Sequence, residues 1–380
     1  MADIGAVIDA GLVTRAVVCS VAAALVVLVP ALRRGGPRWL LVAAATTAIY
    51  GAALPGMIAF HGAVFVFAVM VAGRTTGARD SRWSLSLAGI AVLSVLFLGV
   101  RHVGLDDWSF VVAGIAWRPL AIDMWMILRL VTFLWEFGAT QDPPRLRSYA
   151  LWSLFPFTIA GPLLRYVDFH AQLGAPATAC AHRTRAWWVK VAGALARGAI
   201  GLGLAVLVHR VYGSRKLVLV PWVRMAFGFN APAHAFYFTM SGYFALMEAL
   251  GATWGVSLPR SFDKPFSRPN VSRFWATWNM TATSVFRDYL FYARWGMRRP
   301  NVYVNVIIVF VVVGVWHGLN LYWVLWGLLH GAAFCVYLVW RRVRGGERGT
   351  GRPIARAAAT MLTYVFVCAA WAIPSRLLAR

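Results

Sequence analysis

Apolar runs of bilayer-crossing length recur from one end of this chain to the other, and they constrain the fold more than any motif does. A transmembrane helix needs about 20 predominantly apolar residues. Runs of that order, or somewhat shorter, fall at 16–32, 39–60, 63–72, 85–100, 120–137 and 149–164. Others fall at 189–211, 237–250, 302–315, 321–340 and 357–373. The shorter ones are read as re-entrant or paired pieces. Together they predict about ten or eleven membrane elements. No stretch is left over to bury a separate soluble core, so residues 1–380 read as a single all-α integral membrane domain. Composition agrees: 13% of residues are charged and 60% hydrophobic, against roughly 25% charged in an ordinary soluble domain.

The formal net charge of +24 does not point to nucleic acid. Its basic residues sit in joints between apolar runs, at 33–38, 74–82, 145–147, 294–299 and 341–356. That is the pattern of cytoplasmic loops facing anionic membrane lipids. A nucleic-acid surface would be a continuous basic face on a soluble fold, interleaved with stacking aromatics. The four cysteines, Cys19, Cys180, Cys335 and Cys368, are scattered, with neither metal-ligand nor disulfide-framework spacing. The N-terminal MADIG carries an acid where a secretory signal carries positive charge, so the first apolar run is expected to stay as an anchor in the cell membrane.

Residues 1–117 form a set of N-terminal membrane helices with little visible chemistry. Polar residues then begin to interrupt the apolar background. RLVTFLWEFG sets Arg129 and Glu136 seven residues apart, nearly two helical turns, and predicts a structural ion pair between them. In LFPFTIAGPLLRYVDF, Pro156, Gly161 and Pro162 break an apolar run, which must then line a cavity or be buried in protein. Arg165 and Asp168 follow, within reach of lipid headgroups. YFTMSGYFALMEAL carries Glu248 and a Ser-Gly pair on an otherwise apolar helix.

The most polar stretch is SRFWATWNMTATSVFRDYL, 272–290, which follows a proline-punctuated loop. It reads either as an interfacial anchor or as the wall of a reaction chamber. Two histidines lie beyond it: His317 in VWHGLN, beside Trp316, and His330 in LLHGA. A histidine in a membrane helix is as often a packing residue as a functional one. As chemistry, an imidazole suits a general base near neutral pH, and the Asn279 amide suits a donor to a developing oxyanion. The chain has no G-x-S-x-G elbow, Walker A loop or dinucleotide fingerprint. A base and a polar orienter with no protein nucleophile suit direct transfer of an activated group to a hydroxyl. The competing class is a transporter or channel, which would also use broken helices and intramembrane polar residues; a third is a silent scaffold.

Four blocks, in order, resemble the membrane-bound O-acyltransferase (MBOAT) family: FPFTIAGPLLRY, SGYFALMEALG, FDKPFSRPNVSRFWATWN followed by FRDYLF, and GVWHGLNLYWVLWGLLHG. They mark residues 118–340 as a catalytic core. The resemblance implies a multi-helix bundle around a central tunnel and an O-acyltransferase that takes acyl-CoA as co-substrate, with no metal or other cofactor. It places the essential histidine at His317 and its partner at Asn279. Many bacterial polysaccharide acetylases and D-alanyl transferases carry histidine at that partner position; asparagine there is similar to the sterol, diacylglycerol and protein-acylating branches. Trp275, Trp278 and Trp316 would then shape the tunnel, with His330 supporting the His317 helix and Arg287 and Asp288 pinning the loop. The acceptor implied is a hydroxyl on an envelope glycan or glycosylated natural product, with a lipid alcohol or protein serine as the alternative. Arginine-rich usage with abundant Ala, Gly and Val suggests a GC-rich genome and favours the first pair. A straight helix from 302 would carry His317 toward the far interface at about 1.5 Å per residue, so a tilted helix or a thinned bilayer is expected there.

Overall fold

The computed structural model describes residues 10–28, 35–75, 79–105, 108–112, 115–118, 120, 123–139, 144–158, 161–173, 184–213, 221–292, 301–345 and 353–378. Cys180, the basic cluster 294–299 and the N-terminal MADIG lie outside them. The fold is helical, as the apolar runs predict, apart from a small antiparallel hairpin that the sequence reading did not anticipate. In it β1 (Phe110–Val112) pairs with β2 (Ile115–Trp117), Phe110 opposite Trp117. Five helical stretches are long and apolar enough to cross a membrane unaided: Leu40–Arg74, Ser81–Val103, Arg185–Val208, Leu321–Val343 and Pro353–Pro374. This is a multi-pass membrane protein.

The chain divides into two compact units, Ala10–Val191 with Leu246–Pro259, and Ala192–Ala245 with Arg260–Arg380. The first unit contains α1 (Ala10–Leu28), α2 (Gly35–Tyr50), α3 (Leu54–Arg74), α4 (Arg79–Val103), α5 (Met124–Ala139), α6 (Leu146–Ser153) and α7 (Tyr166–Leu173). The break between α2 and α3 lies earlier than the apolar runs suggested. Gly51, at φ +47°, opens a 3-10 turn over Gly51–Ala53, and Pro55 starts α3 in its first turn. His61, placed at the predicted break, is instead buried inside α3, where its Nδ1 lies 3.3 Å from the Tyr149 hydroxyl. A polar residue with a partner need not end a helix.

The core of this unit is aromatic. Phe133, Tyr149, Trp152 and Tyr166 pack around one another, with Tyr166 edge-on to Phe133 and Trp152. Among the described residues of the broken run 149–164, Trp152, Phe155 and Phe157 are wholly inaccessible. The run folds as α6, a 3-10 turn over Pro156–Thr158 and a bend at Gly161, where a Cβ would collide with the Phe157 carbonyl. The predicted Arg129–Glu136 pair does not form. The Arg129 guanidinium turns to the Trp152 carbonyl and lies 4.6 Å over the Trp152 ring, whereas Glu136 meets Arg165 at 3.9 Å. A planar cation stacked on an indole keeps its charge next to a polarisable face, and Arg165, partly exposed, is the less desolvated partner for the carboxylate. Glu248, from the first unit's C-terminal piece, pairs with Lys190 at 2.8 Å.

Two helices, α8 (Arg185–Gly213) and α9 (Pro221–Thr253), contain the boundary between the units. In the second unit they cross at small residues: a Cβ on Gly242 would sit 2.5 Å from the Gly198 nitrogen. This is why the Ser-Gly pair interrupts that apolar helix. The unit continues with α10 (Val271–Trp275), α11 (Met280–Phe286), α12 (Val302–His317), α13 (Leu321–Val343) and α14 (Pro353–Leu378). At 16 residues, α12 is about 24 Å long, less than the roughly 30 Å of a bilayer's hydrocarbon core.

Candidate active site

The polar loop preceding α10 builds a rigid frame. Asp263 accepts from Arg260 Nη2 at 2.8 Å and from Arg268 Nη2 at 2.7 Å. Its backbone N–H donates to the Thr277 carbonyl at 3.0 Å, and Met280 N–H donates to the Ser261 carbonyl at 2.7 Å. Residues 261–263 thus grip the turn on both sides of Asn279. Inside that grip Asn279 takes a left-handed backbone, φ 40° and ψ 53°, and opens α11. Asparagine tolerates this region better than most side chains, but it is uncommon for any residue other than glycine. Among the described residues only Lys264 shares it outside glycine.

Asn270, Asn301 and Asn320 open α10, α12 and α13, and each side chain accepts a hydrogen bond from its own helix. Asn279 holds the same position at α11 and makes no such cap. Its Oδ1 is buried and has no hydrogen-bond partner. The amide is withheld from the ordinary structural task of an asparagine at a helix start.

His317 closes α12 and owes its surroundings to a close helix crossing. A Cβ on Gly314 would collide with the Trp323 carbonyl, and one on Gly327 with the Phe310 carbonyl. Glycine at both positions lets α12 and α13 touch backbone to backbone, which lays the Trp323 ring over His317 at 4.7 Å and 22°. Trp316 and Trp326 flank the imidazole at 4.7 and 5.8 Å between ring centroids. His330, one turn further along α13 than Trp326, is wholly buried against Trp326 at 4.5 Å and Trp275 at 5.0 Å.

Of the residues singled out from sequence, Trp275, Trp316, His317 and His330 therefore belong to one set of touching rings. Trp278 joins a second set, stacked on Phe236, Tyr237 and Phe274. Phe274 touches both Trp275 and Trp278 and so links the two sets. Asn279 follows Trp278 directly; its Oδ1 makes no hydrogen bond to His317. At the other end of α11, Phe286 meets Trp316 at 5.5 Å. Arg287 and Asp288 bond to each other, Nε to Oδ1 at 2.8 Å, inside a π-helical turn over Arg287–Phe291. Such turns occur disproportionately near functional sites. Trp323 and Trp326 were not singled out from sequence. Their signal was present: 323, 326 and 330 fall three and four residues apart, one face of a helix.

Residues 115–371 match the membrane-bound O-acyltransferase family, and the chain belongs to it. Among curated proteins, it is 27% identical over 233 residues to a peptidoglycan O-acetyltransferase of Helicobacter pylori, covering 59% of this chain and 43% of that one. It is 23% identical over 307 residues to the "Probable alginate O-acetylase" of Pseudomonas putida, covering 77% and 61%. A teichoic acid D-alanyltransferase of Bacillus subtilis is 28% identical over 144 residues, 35% and 36% of the two chains. The chain spans about half the length of the first two relatives.

Proposed function

We propose that this protein is an O-acyltransferase that moves an acyl group from acyl-CoA to a hydroxyl of a bacterial envelope glycan, with His317 as general base and Asn279 as oxyanion donor. Family membership and relatives named for peptidoglycan, alginate and teichoic acid support the class of acceptor. The observation that carries the site is Asn279, whose buried Oδ1 has no hydrogen-bond partner and whose left-handed backbone the flanking loop holds in place. Strained backbone and an unspent amide together are the marks of a residue kept for something other than folding.

In this reading the His317 imidazole takes the acceptor's hydroxyl proton as the oxygen attacks the thioester carbonyl. The new C–O bond forms, and the carbonyl oxygen takes up negative charge that the Asn279 amide N–H stabilises. The C–S bond then breaks, and the departing thiolate takes its proton from the imidazolium, leaving an ester and free CoA. The aromatic walls around His317 keep water from the thioester. His317→Ala and Asn279→Ala, expressed in a bacterial host, are each expected to abolish the alkali-labile acyl groups that the wild type adds to the envelope glycan. Full acylation by both variants would refute the site.

Asn279 itself favours a second reading. Where the resemblance expects histidine in envelope-glycan enzymes, the asparagine matches branches that acylate lipid alcohols or protein serines. Acyl esters recovered in the lipid extract or on protein, with none on glycan, would establish that alternative. A transporter would show neither ester nor binding of a non-hydrolysable acyl-CoA analogue.

A further inference from the structure

Four polar atoms on the rings beside His317 are buried and without a hydrogen-bond partner: Trp275 Nε1, Trp326 Nε1, and both ring nitrogens of His330. The three rings touch in a closed triangle, with centroids 4.5 Å apart for His330 and Trp326, 5.0 Å for His330 and Trp275, and 5.7 Å for Trp275 and Trp326. His330 is wholly inaccessible and Trp326 is 3% exposed. Phe310 and Phe366 cover the remaining sides of His330. A single dry donor is a packing accident; buried donors are otherwise almost always satisfied, and leaving them unmet is costly. Four unmet polar atoms on three mutually touching side chains, two of these on α13 and one closing α10, form a feature of the site.

The chemistry of these atoms specifies what they would accept. An indole N–H only donates, so Trp275 and Trp326 each require an acceptor. A neutral imidazole offers one N–H and one lone pair. The surrounding rings supply no cation, and a carboxylate or phosphate buried there would be desolvated without compensation. The group that fits the two indole N–H groups and the imidazole N–H is an uncharged oxygen acceptor. Trp326 touches His330 on one side and His317 on the other, which puts such an oxygen next to the proposed base.

We propose that Trp275, Trp326 and His330 form a binding site for the acyl carbonyl of the donor, with the two indole N–H groups as hydrogen-bond donors to its oxygen. This rests on the acyl-transfer reading and deepens it. It assigns donors beyond Asn279 to the carbonyl, and it gives His330 and Trp326 contact with the substrate. In the ground state these donors position the thioester; as the carbonyl oxygen gains charge, the same bonds strengthen, which lowers the barrier.

The test replaces Trp326, and separately Trp275, with 3-benzothienylalanine, which keeps the bicyclic ring and exchanges N–H for sulfur. His317→Ala runs alongside. The probe for binding is S-acetonyl-CoA, a thioether that keeps the carbonyl and cannot transfer it. On 15N-indole-labelled wild-type protein in detergent micelles, the Trp275 and Trp326 indole resonances are expected to shift when the probe binds. Each isostere is expected to lower kcat for ester formation by about a hundredfold, in the range seen on deleting one oxyanion donor, at an unchanged melting temperature. Full activity of both isosteres, with unmoved indole resonances and an inactive His317→Ala, would overturn the carbonyl site and leave the acyl-transfer reading standing. An active His317→Ala would overturn the reading itself, and this inference with it. The resonance measurement uses unaltered protein, so a substituted chain that failed to fold would not remove the test.

Discussion

Gly314 on α12 faces the backbone carbonyl of Trp323 on α13 so closely that even a methyl group at position 314 would collide with it. The same residue therefore sets the helix crossing and the distance from Trp323 to the imidazole it stacks on, His317. Gly314→Ala should lower stability by about 1–3 kcal/mol, the usual effect of overpacking a close contact. It should also lower activity further than the lost stability explains, because relief of the collision moves the Trp323 ring. Gly203→Ala is the control. A Cβ there meets no atom within 4 Å, so stability should hold or rise by under about 1 kcal/mol. Thermal unfolding in detergent distinguishes the two. A Gly314→Ala protein that melts with the wild type would mean the helices do not approach so closely.

Asn279 offers a way to separate backbone strain from chemistry. Glycine adopts the left-handed region freely, whereas alanine there costs about 1–2 kcal/mol. Asn279→Gly should therefore keep or raise stability, and Asn279→Ala should lower it by roughly that amount. Both remove the amide, and both should lose about a hundredfold to a thousandfold in turnover. An Asn279→Gly enzyme with wild-type turnover would reduce the residue to a turn former.

The loop that grips Asn279 allows a subtler prediction. Asp263 and its two arginines are 27–60% exposed in their side chains, so these ion pairs contribute under about 1 kcal/mol to stability. Asp263→Asn should accordingly melt close to wild type. It should nonetheless lower kcat by about tenfold to a hundredfold, since a small misplacement of a positioned group is expensive in rate, while KM changes little. Activity that simply tracks melting temperature across such variants would show that the loop only holds the fold together.

The apolar runs made the helices legible, because a membrane element needs length and little else. The polar segment 272–290 announced itself for the same reason: lipid tolerates so few polar residues that each one stands out. Helix breaks were harder. His61 looked like an interruption and is a buried helical residue, its Nδ1 meeting Tyr149, 88 positions away. The contacts of Trp323 and Trp326 depend on Gly314 and Gly327 meeting backbones across a crossing, a long-range fact that spacing along one helix cannot express. The hairpin at 110–117 escaped notice because its strands are three residues each, too short for any alternation to register.

The misjudged pair at Arg129 gives the last prediction. Sequence spacing set Glu136 as the partner of Arg129, yet the guanidinium rests on Trp152, and its Nε and Nη1 are buried with no hydrogen-bond partner. A buried cation so poorly compensated is a burden on stability, and replacing it with an apolar side chain of similar length removes the desolvation penalty. Arg129→Met should therefore be neutral to within about 1 kcal/mol, or stabilising. Arg129→Ala, which also leaves a cavity under Trp152, should cost about 2–5 kcal/mol. Glu136→Gln should affect Arg165, whose guanidinium it meets, and leave the Arg129 variants' effects unchanged; in a double-mutant cycle the coupling between positions 129 and 136 should be near zero. A measured coupling above about 1 kcal/mol would restore the ion pair that the spacing suggested and remove the Trp152 stack as the reason Arg129 is buried.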